Sequence, residues 1–209
     1  MRLTEPLIDR LAEHGWASCD TLIPCALRDQ LYTTAHTLWD TGHFHQATIG
    51  RGLTQTSNTT LRGDAICWLD RHTAFPPTEN TVTQHFLDWT DTLRHDLNQA
   101  LYLGLNNAEF HFARYPAGAG YTTHIDQHRD APQRRISLVL YLNPEWHTQD
   151  HGELIMYKPD NPAHVLESLL PMPGRLVIFR SDLMPHEVAP CLRTRWSLTG
   201  WFRTDHGVF

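Results

Sequence analysis

Two histidines and one aspartate in this 209-residue chain have the spacing to close on a single metal ion. His124 and Asp126 are one residue apart in Gly120-Tyr121-Thr122-Thr123-His124-Ile125-Asp126, and in an extended strand residues i and i+2 point to one face. A third imidazole, His186, follows the apolar run Leu176-Val177-Ile178-Phe179 and the turn Ser181-Asp182-Leu183-Met184-Pro185, so it should begin the next strand. Two imidazoles and a carboxylate on one side of an ion suit Fe(II) and leave coordination positions open. A structural zinc site would more often recruit thiolates. With 15 histidines in the chain, ligand-like spacings also arise by chance. His128-Arg129-Asp130 repeats the pattern, but in a polar segment running into Pro132, where a solvent-facing loop is expected. His147, His151 and His164 compete with His186, and none is followed by a suitably placed Arg.

Such an Arg occurs in Arg193-Thr194-Arg195-Trp196-Ser197-Leu198-Thr199-Gly200-Trp201. Strand alternation puts Arg195, Ser197, Thr199 and Trp201 on one face. That set makes a poor apolar core and a good carboxylate pocket; the competing reading is an edge strand with a solvated polar face. Arg193 shares the parity but sits nearer the strand start, which favours Arg195. In Arg135-Ile136-Ser137-Leu138-Val139-Leu140-Tyr141-Leu142-Asn143, Ser137, Val139 and Tyr141 share a face opposite Ile136, Leu138 and Leu140. A Tyr141 hydroxyl beside Arg195 could fix the far carboxylate of a short dicarboxylate.

The elements that would carry these residues follow from periodicity. Residues 5–14 have Leu7, Ile8 and Leu11 at helical spacing, with Pro6 suited to the first turn and Gly15 to a stop. Residues 16–19 could be a short strand. A second helix runs from Pro24 to Gly42 with a stripe of Leu27, Leu31, Ala35, Leu38 and Trp39. Residues 43–60 are polar and Gly-rich with no period, and residues 62–70 return to strand character. After Pro76-Pro77 a third helix carries Val82, Phe86, Trp89, Leu93, Leu97 and Leu101 and ends at Gly104. Strands are then expected at 110–115, 135–143, 153–157, 175–180 and 193–203. Helices followed by a run of short strands predict an α+β domain, a β-sandwich or barrel buttressed on one side.

Hydrophobic content of 41% and charged content of 19% are those of a folded protein with a real core. The net charge of -6, with no Lys/Arg block, argues against nucleic acid as partner. No apolar run approaches the ~18 residues of a membrane span, and Met1-Arg2-Leu3 opens no signal-peptide pattern. Cys19, Cys25, Cys67 and Cys191 form no Cys-x-x-Cys, which fits a reduced, cytoplasmic setting.

Taken together, residues 109–203 resemble the Fe(II)/2-oxoglutarate-dependent dioxygenases, and among them the prolyl hydroxylases related to the animal oxygen-sensing enzymes and their bacterial relatives. The carrying residues are Tyr115-Pro116-Ala117-Gly118, Gly120-Tyr121-x-x-His124-x-Asp126, Tyr141-Leu142-Asn143-x-x-Trp146, Gly152-x-Leu154, Pro185-His186-Glu187-Val188-x-Pro190 and Arg195-x-Ser197-x-Thr199-x-Trp201. Upstream, Arg62-Gly63-Asp64-x-Ile66-x-Trp68 is similar to the segment that follows a mobile substrate-covering loop in that family. The resemblance implies one domain over residues 1–209: mainly helical support plus the covering loop in 1–104, and a double-stranded β-helix (jelly-roll) core in 105–205, with the N-terminal helices packed on its major sheet. It implies His124, Asp126 and His186 as iron ligands and catalytic centre. Arg195, Tyr141, Tyr115 and Thr199 would contact 2-oxoglutarate, and Val139, Leu154, Val188 and Trp201 would line its pocket. Arg62, Asp64, Tyr121 and Arg134 would contact substrate, with residues 49–61 as a lid over a bound peptide. The implied cofactors and co-substrates are Fe(II), 2-oxoglutarate, O2 and ascorbate. The implied partner is a proline-containing protein or peptide, hydroxylated with release of succinate and CO2. Hydroxylation of a free amino acid or other metabolite, and a non-catalytic jelly-roll metal-binding module, are the alternatives. The chain departs from the family pattern at His151, which replaces the first Gly of a Gly-Gly-x-Leu motif, and at Arg180, where the animal enzymes carry a Trp.

Overall fold

The computed structural model describes residues 3–48, 58, 60–127 and 131–205. Most of the segment 49–61 expected to be a lid, and the rival pair His128 and Asp130, lie outside the described residues. Helix α1 (Glu5–His14) has Pro in its first turn and ends at Gly15, whose φ of 77° closes the helix through a bond from its N–H to the Leu11 carbonyl. α2 (Cys25–Asp40) buries Leu31, Ala35 and Leu38, and α3 (Pro77–Leu101) buries Val82, Phe86, Leu93 and Leu97, the stripes that the spacing predicts. α3 leaves its axis at Tyr102 (φ 53°), before Gly104. The Asn98 side chain both accepts from the Leu105 N–H and donates to the Leu105 carbonyl, which locks the exit.

Three short strands accompany the helices: β1 (Trp16–Cys19), β2 (His45–Gln46) and β3 (Ala65–Leu69). Eight more follow: β4 (Asn107–Tyr115), β5 (Tyr121–His124), β6 (Arg134–Tyr141), β7 (Leu154–Lys158), β8 (Asn161–Leu169), β9 (Leu176–Arg180), β10 (His186–Val188) and β11 (Arg195–Arg203). They make two antiparallel sheets, one ordered β1-β9-β6-β11-β4-β3-β2 and the other β5-β10-β7-β8. This is the α+β, double-stranded β-helix architecture. The first three strands, from the N-terminal half, complete the larger sheet alongside four strands of the C-terminal half.

Alternation divides the larger sheet into two chemically different faces. Ile136, Leu138 and Leu140 of β6, Leu198 and Phe202 of β11 and Phe110 and Phe112 of β4 pack with the helices in one apolar core. Val139 and Tyr141 point the other way, toward Leu154 and Met156 of the smaller sheet. Close backbone approach dictates one glycine here. A Cβ on Gly120 would lie 2.5 Å from the Val188 carbonyl oxygen, so only Gly lets β5 enter beside β10.

Two features differ from expectation for physical reasons. β8 has almost no buried side chains; it is an edge strand held by its ladder to β7, so no apolar alternation announces it. His151, the departure from a Gly, still adopts a glycine-like conformation at φ 54°, ψ −144°. Its carbonyl accepts from the Trp146 indole N–H at 2.9 Å, and it bridges to Cys191. The turn has kept the shape that Gly favours, with a non-Gly residue under backbone strain.

Candidate active site

His124 and His186 reach one point from adjacent strands, because β5 and β10 pair with these two residues as Cα partners. Asp126 was expected on the same strand as His124. It lies instead in a bend just past β5, and the chain there is fixed by other bonds. The Gln127 N–H donates to the Ser181 carbonyl at 2.9 Å, and the Gln127 amide donates to the carbonyls of Pro132 and Arg134. The carboxylate thereby turns into the space between the sheets. Ligand atoms of His124, Asp126 and His186 lie within 4.8 Å of one another, the one such group among the described residues. Asp126 Oδ1 is 3.5 Å from His124 Nε2 and Oδ2 is 3.8 Å from His186 Nε2.

The bonds around these three side chains set their donor state. His124 Nδ1 lies 2.8 Å from the Thr122 carbonyl and His186 Nδ1 lies 2.9 Å from the Met184 carbonyl. A carbonyl only accepts, so each Nδ1 carries the proton and each Nε2 keeps a lone pair facing Asp126. Burial, with His124 beside it, pushes the His186 imidazole down to about 4, so it is neutral at pH 7. Burial would push Asp126 up, but the neighbouring imidazoles and the Ser137 hydroxyl outweigh it and hold the carboxyl far below the usual range. Ser137 Oγ donates to Asp126 Oδ2 at 2.6 Å and is itself 2.9 Å from Ser181 Oγ. The two imidazole rings, with Nε2 turned to Asp126, and an ionised carboxylate are thus prepared as ligands for a hard-to-borderline divalent cation.

The same cleft, about 530 Å³, contains Arg195 at its other end. Arg195 is 1% exposed, and its Nε and one terminal nitrogen have no hydrogen-bond partner. Its guanidinium lies between the rings of Tyr115 and Tyr141, at 5.0 and 4.9 Å from their centroids. The Tyr141 hydroxyl is likewise unpartnered. Of the seven described residues holding buried, unpartnered side-chain N or O atoms, five (His111, Tyr141, Arg195, Ser197 and Trp201) line this cleft or abut Arg195. Folded proteins pair nearly all such atoms, and an unpaired buried cation is especially costly. Their concentration at one place marks a site shaped for a polar, anionic ligand.

The sequence of residues 110–203 matches the family model described as the 2OG-Fe(II) oxygenase superfamily. A solved prolyl-4-hydroxylase from Pseudomonas putida is 37% identical to the chain, with a TM-score of 0.81, covering 96% of this chain and 98% of that one. The chain belongs to the 2OG-Fe(II) oxygenase superfamily. Within it the resemblance is to prolyl hydroxylases. A Trichoplax adhaerens prolyl hydroxylase, solved with a hypoxia-inducible factor oxygen degradation domain peptide, is 26% identical, with a TM-score of 0.81 and coverage of 95% of this chain and 87% of that one. Egl nine homolog 1 of Rattus norvegicus is 28% identical over 203 residues, covering 95% of this chain and 58% of the relative. The chain spans about half the length of the curated Egl nine homolog 1 relatives it matches.

Family membership and the His-Asp-His group imply Fe(II) and 2-oxoglutarate as the oxygenase's cofactors. The residues present fit both. The three ligand atoms suit the metal, and the unpartnered Arg195 and Tyr141 suit a carboxylate.

The remaining expected residues fall around the same cleft. Tyr115, Val139, Leu154, Val188, Thr199 and Trp201 line it, as do Arg62, Asp64, Tyr121 and Arg134 at its mouth. Tyr141 stands behind Arg195. Two of the mouth cations are already engaged. Arg62 makes a two-pronged pair with Asp64 at 2.7 and 3.0 Å and lies over the Tyr121 ring, which stacks on His124 at 3.7 Å. Arg134 Nε bonds Glu109 at 2.8 Å, and its guanidinium covers the Trp201 ring at 3.4 Å. Sequence reasoning missed His111, Ser181 and His45. His111 was within reach, since it shares the face of β4 with Ala113 and Tyr115.

Proposed function

We propose that this chain is an Fe(II)- and 2-oxoglutarate-dependent hydroxylase that uses O2 to hydroxylate a prolyl residue of a protein or peptide, releasing succinate and CO2. The observation that carries the reading is Arg195: a buried, unpartnered guanidinium in the cleft that holds the metal-ligand group. A metal-binding module without catalysis would have no use for it. When bound, Fe(II) and 2-oxoglutarate supply the oxidising power: O2 is divided between succinate, formed with loss of CO2, and the hydroxyl group of the product.

The chain's own residues do the positioning. His124, Asp126 and His186 would hold the metal. Arg195 pairs with the far carboxylate of 2-oxoglutarate, with the Tyr141 hydroxyl as a second donor. Tyr115 and Thr199 border the co-substrate, and Val139, Leu154, Val188 and Trp201 exclude water from it, which strengthens the Arg195 contact. Arg62, Asp64, Tyr121 and Arg134 frame the entrance for the polypeptide. The Pseudomonas and Trichoplax relatives, both prolyl hydroxylases and the latter bound to a peptide, support a prolyl peptide as the substrate class.

The test is succinate formation by the purified Fe(II)-loaded protein from 2-oxoglutarate, with a panel of proline-containing peptides and, separately, free amino acids. Expected is peptide-stimulated succinate production with one oxygen atom gained by the peptide. Stimulation by a free amino acid alone would make the chain a metabolite hydroxylase. No 2-oxoglutarate turnover at all would leave a metal-binding module.

A further inference from the structure

The mouth of the cleft contains buried charges that are paired and buried polar groups that are not. Arg62 is held by Asp64, and Glu109 takes both Arg134 and Arg203 at 2.8 Å. His111 stands among them without such a partner for its Nδ1. It is 1% exposed and lines the cleft from the middle of β4. Strand register sets it beside Thr199 on one side and Trp68 on the other. Its ring lies 4.8 Å from that of Trp68 and 5.6 Å from that of Trp201. The Trp201 indole nitrogen, which can only donate, is unpartnered as well. Nearby are Arg62, Arg134, Asp126 and His45, so His111 belongs to the substrate entrance and the metal side of the cleft. Burial, with Arg62 and Arg134 close by, keeps this imidazole neutral.

We propose that His111, with the Trp201 indole N–H, hydrogen-bonds the main chain of a peptide substrate beside the residue that is hydroxylated. The site would thereby select an amide over the carboxylate of a free amino acid. A neutral imidazole offers one donor and one acceptor and the indole one donor, which suits the C=O and N–H of a peptide unit. Among the described residues, the cations nearest that position, Arg62 and Arg134, already face Asp64 and Glu109, and Arg195 is reserved for the co-substrate. The desolvation of that carboxylate would go uncompensated. This inference rests on the peptide-hydroxylase reading above.

The experiment compares wild type with His111→Leu, which removes both hydrogen-bonding groups, and His111→Asn, which keeps an amide near the Nδ1 position. The probe is the most active peptide of the proline panel. Its affinity is measured both as KM and as anaerobic binding to protein loaded with Mn(II) and 2-oxoglutarate, alongside the KM for 2-oxoglutarate. Expected is a rise of about ten-fold in peptide KM and binding constant for His111→Leu, well beyond any change for 2-oxoglutarate, with recovery of most of it in His111→Asn. Equal peptide affinity in wild type and His111→Leu overturns the inference while leaving the hydroxylase reading intact. An equal rise for peptide and 2-oxoglutarate, or no recovery in His111→Asn, overturns it in favour of a packing role. If His111→Leu does not fold, His111→Asn compared with His111→Ser decides on the same readouts: a peptide KM as low in Ser as in Asn overturns it. A wild type that oxidises free amino acids and no peptide removes the underlying reading instead.

Discussion

The two ends of the cleft both contain buried arginines, and they treat them in opposite ways. At the mouth Arg62 lies against Asp64, fully buried, through two short bonds, and Arg134 lies against Glu109 and over an indole ring. At the far end Arg195, more buried than either, is surrounded by two phenol rings and faces no carboxylate among the described residues. A desolvated cation with its counter-ion inside the chain is part of the scaffold. A desolvated cation without one is a binding site, because folding has left its partner to be supplied from outside. The predictions below ask whether that contrast holds, starting with the group that both ends serve.

The largest effect belongs to the metal group. Removing one of three protein ligands leaves two, and His186→Ala should reduce Fe(II) affinity beyond detection in an anaerobic metal titration. His128→Ala, in the rival motif, should leave it intact. The reverse result would move the centre to the rival motif and make the comparison of the two ends meaningless.

Next is the paired mouth. Asp64→Ala strands the partly buried Arg62 without its carboxylate, and a loss of about 2–4 kcal/mol in folding stability is expected from denaturant unfolding. A loss below about 1 kcal/mol would mean that the pair is solvated in practice and that its role is in the substrate path.

The unpaired end should respond with the opposite sign. Arg195→Met keeps length and removes charge, so the metal-free, ligand-free protein should gain about 1–3 kcal/mol, as replacement of buried ionic groups by apolar ones often does. The same change should weaken 2-oxoglutarate by about 100-fold or more, since it deletes the charged partner of a buried carboxylate. Loss of stability together with unchanged co-substrate affinity would place the carboxylate clamp elsewhere.

Much of this contrast was legible in the sequence, and the missing part is physical in origin. Alternation alone placed Arg195, Ser197, Thr199 and Trp201 on one face and split β6 into a greasy face and a cleft face, because side-chain parity in a strand needs no tertiary information. The helical stripes were readable for the same reason. What parity cannot supply is the neighbour across the ladder. His111 becomes notable only when β3 and β11 bring Trp68 and Trp201 against it, and Arg134 is seen to be engaged only when Glu109 arrives from 25 residues away in sequence. The His-x-Asp spacing is an incomplete reason for Asp126 to meet His124 and His186. The orientation of Asp126 comes from a bend held by Gln127 and Ser137, both outside the local His-x-Asp pattern.

The smallest expected effect tests that last support. Ser137 Oγ can donate to only one acceptor at a time, and the short bond to Asp126 uses it, with Ser181 as the neighbour able to donate in turn. Ser137→Ala removes a bond that favours the ionised carboxylate, so the Asp126 carboxyl should move up from its depressed position. A depressed carboxyl is competent to bind metal above its pKa and loses that competence as pH falls through it. Raising it therefore moves the acid limit of metal binding to higher pH. Near neutrality, where Asp126 stays ionised, the remaining effect is lost orientation, and Fe(II) affinity should fall by about ten-fold. Ser137→Thr retains the hydroxyl and should recover most of it if the donor, and not the small volume of serine, is what orients Asp126. Metal titrations of both variants at pH 7 and at mildly acid pH separate the two contributions. An affinity loss that is the same in Ala and Thr would assign Ser137 to packing beneath the metal group.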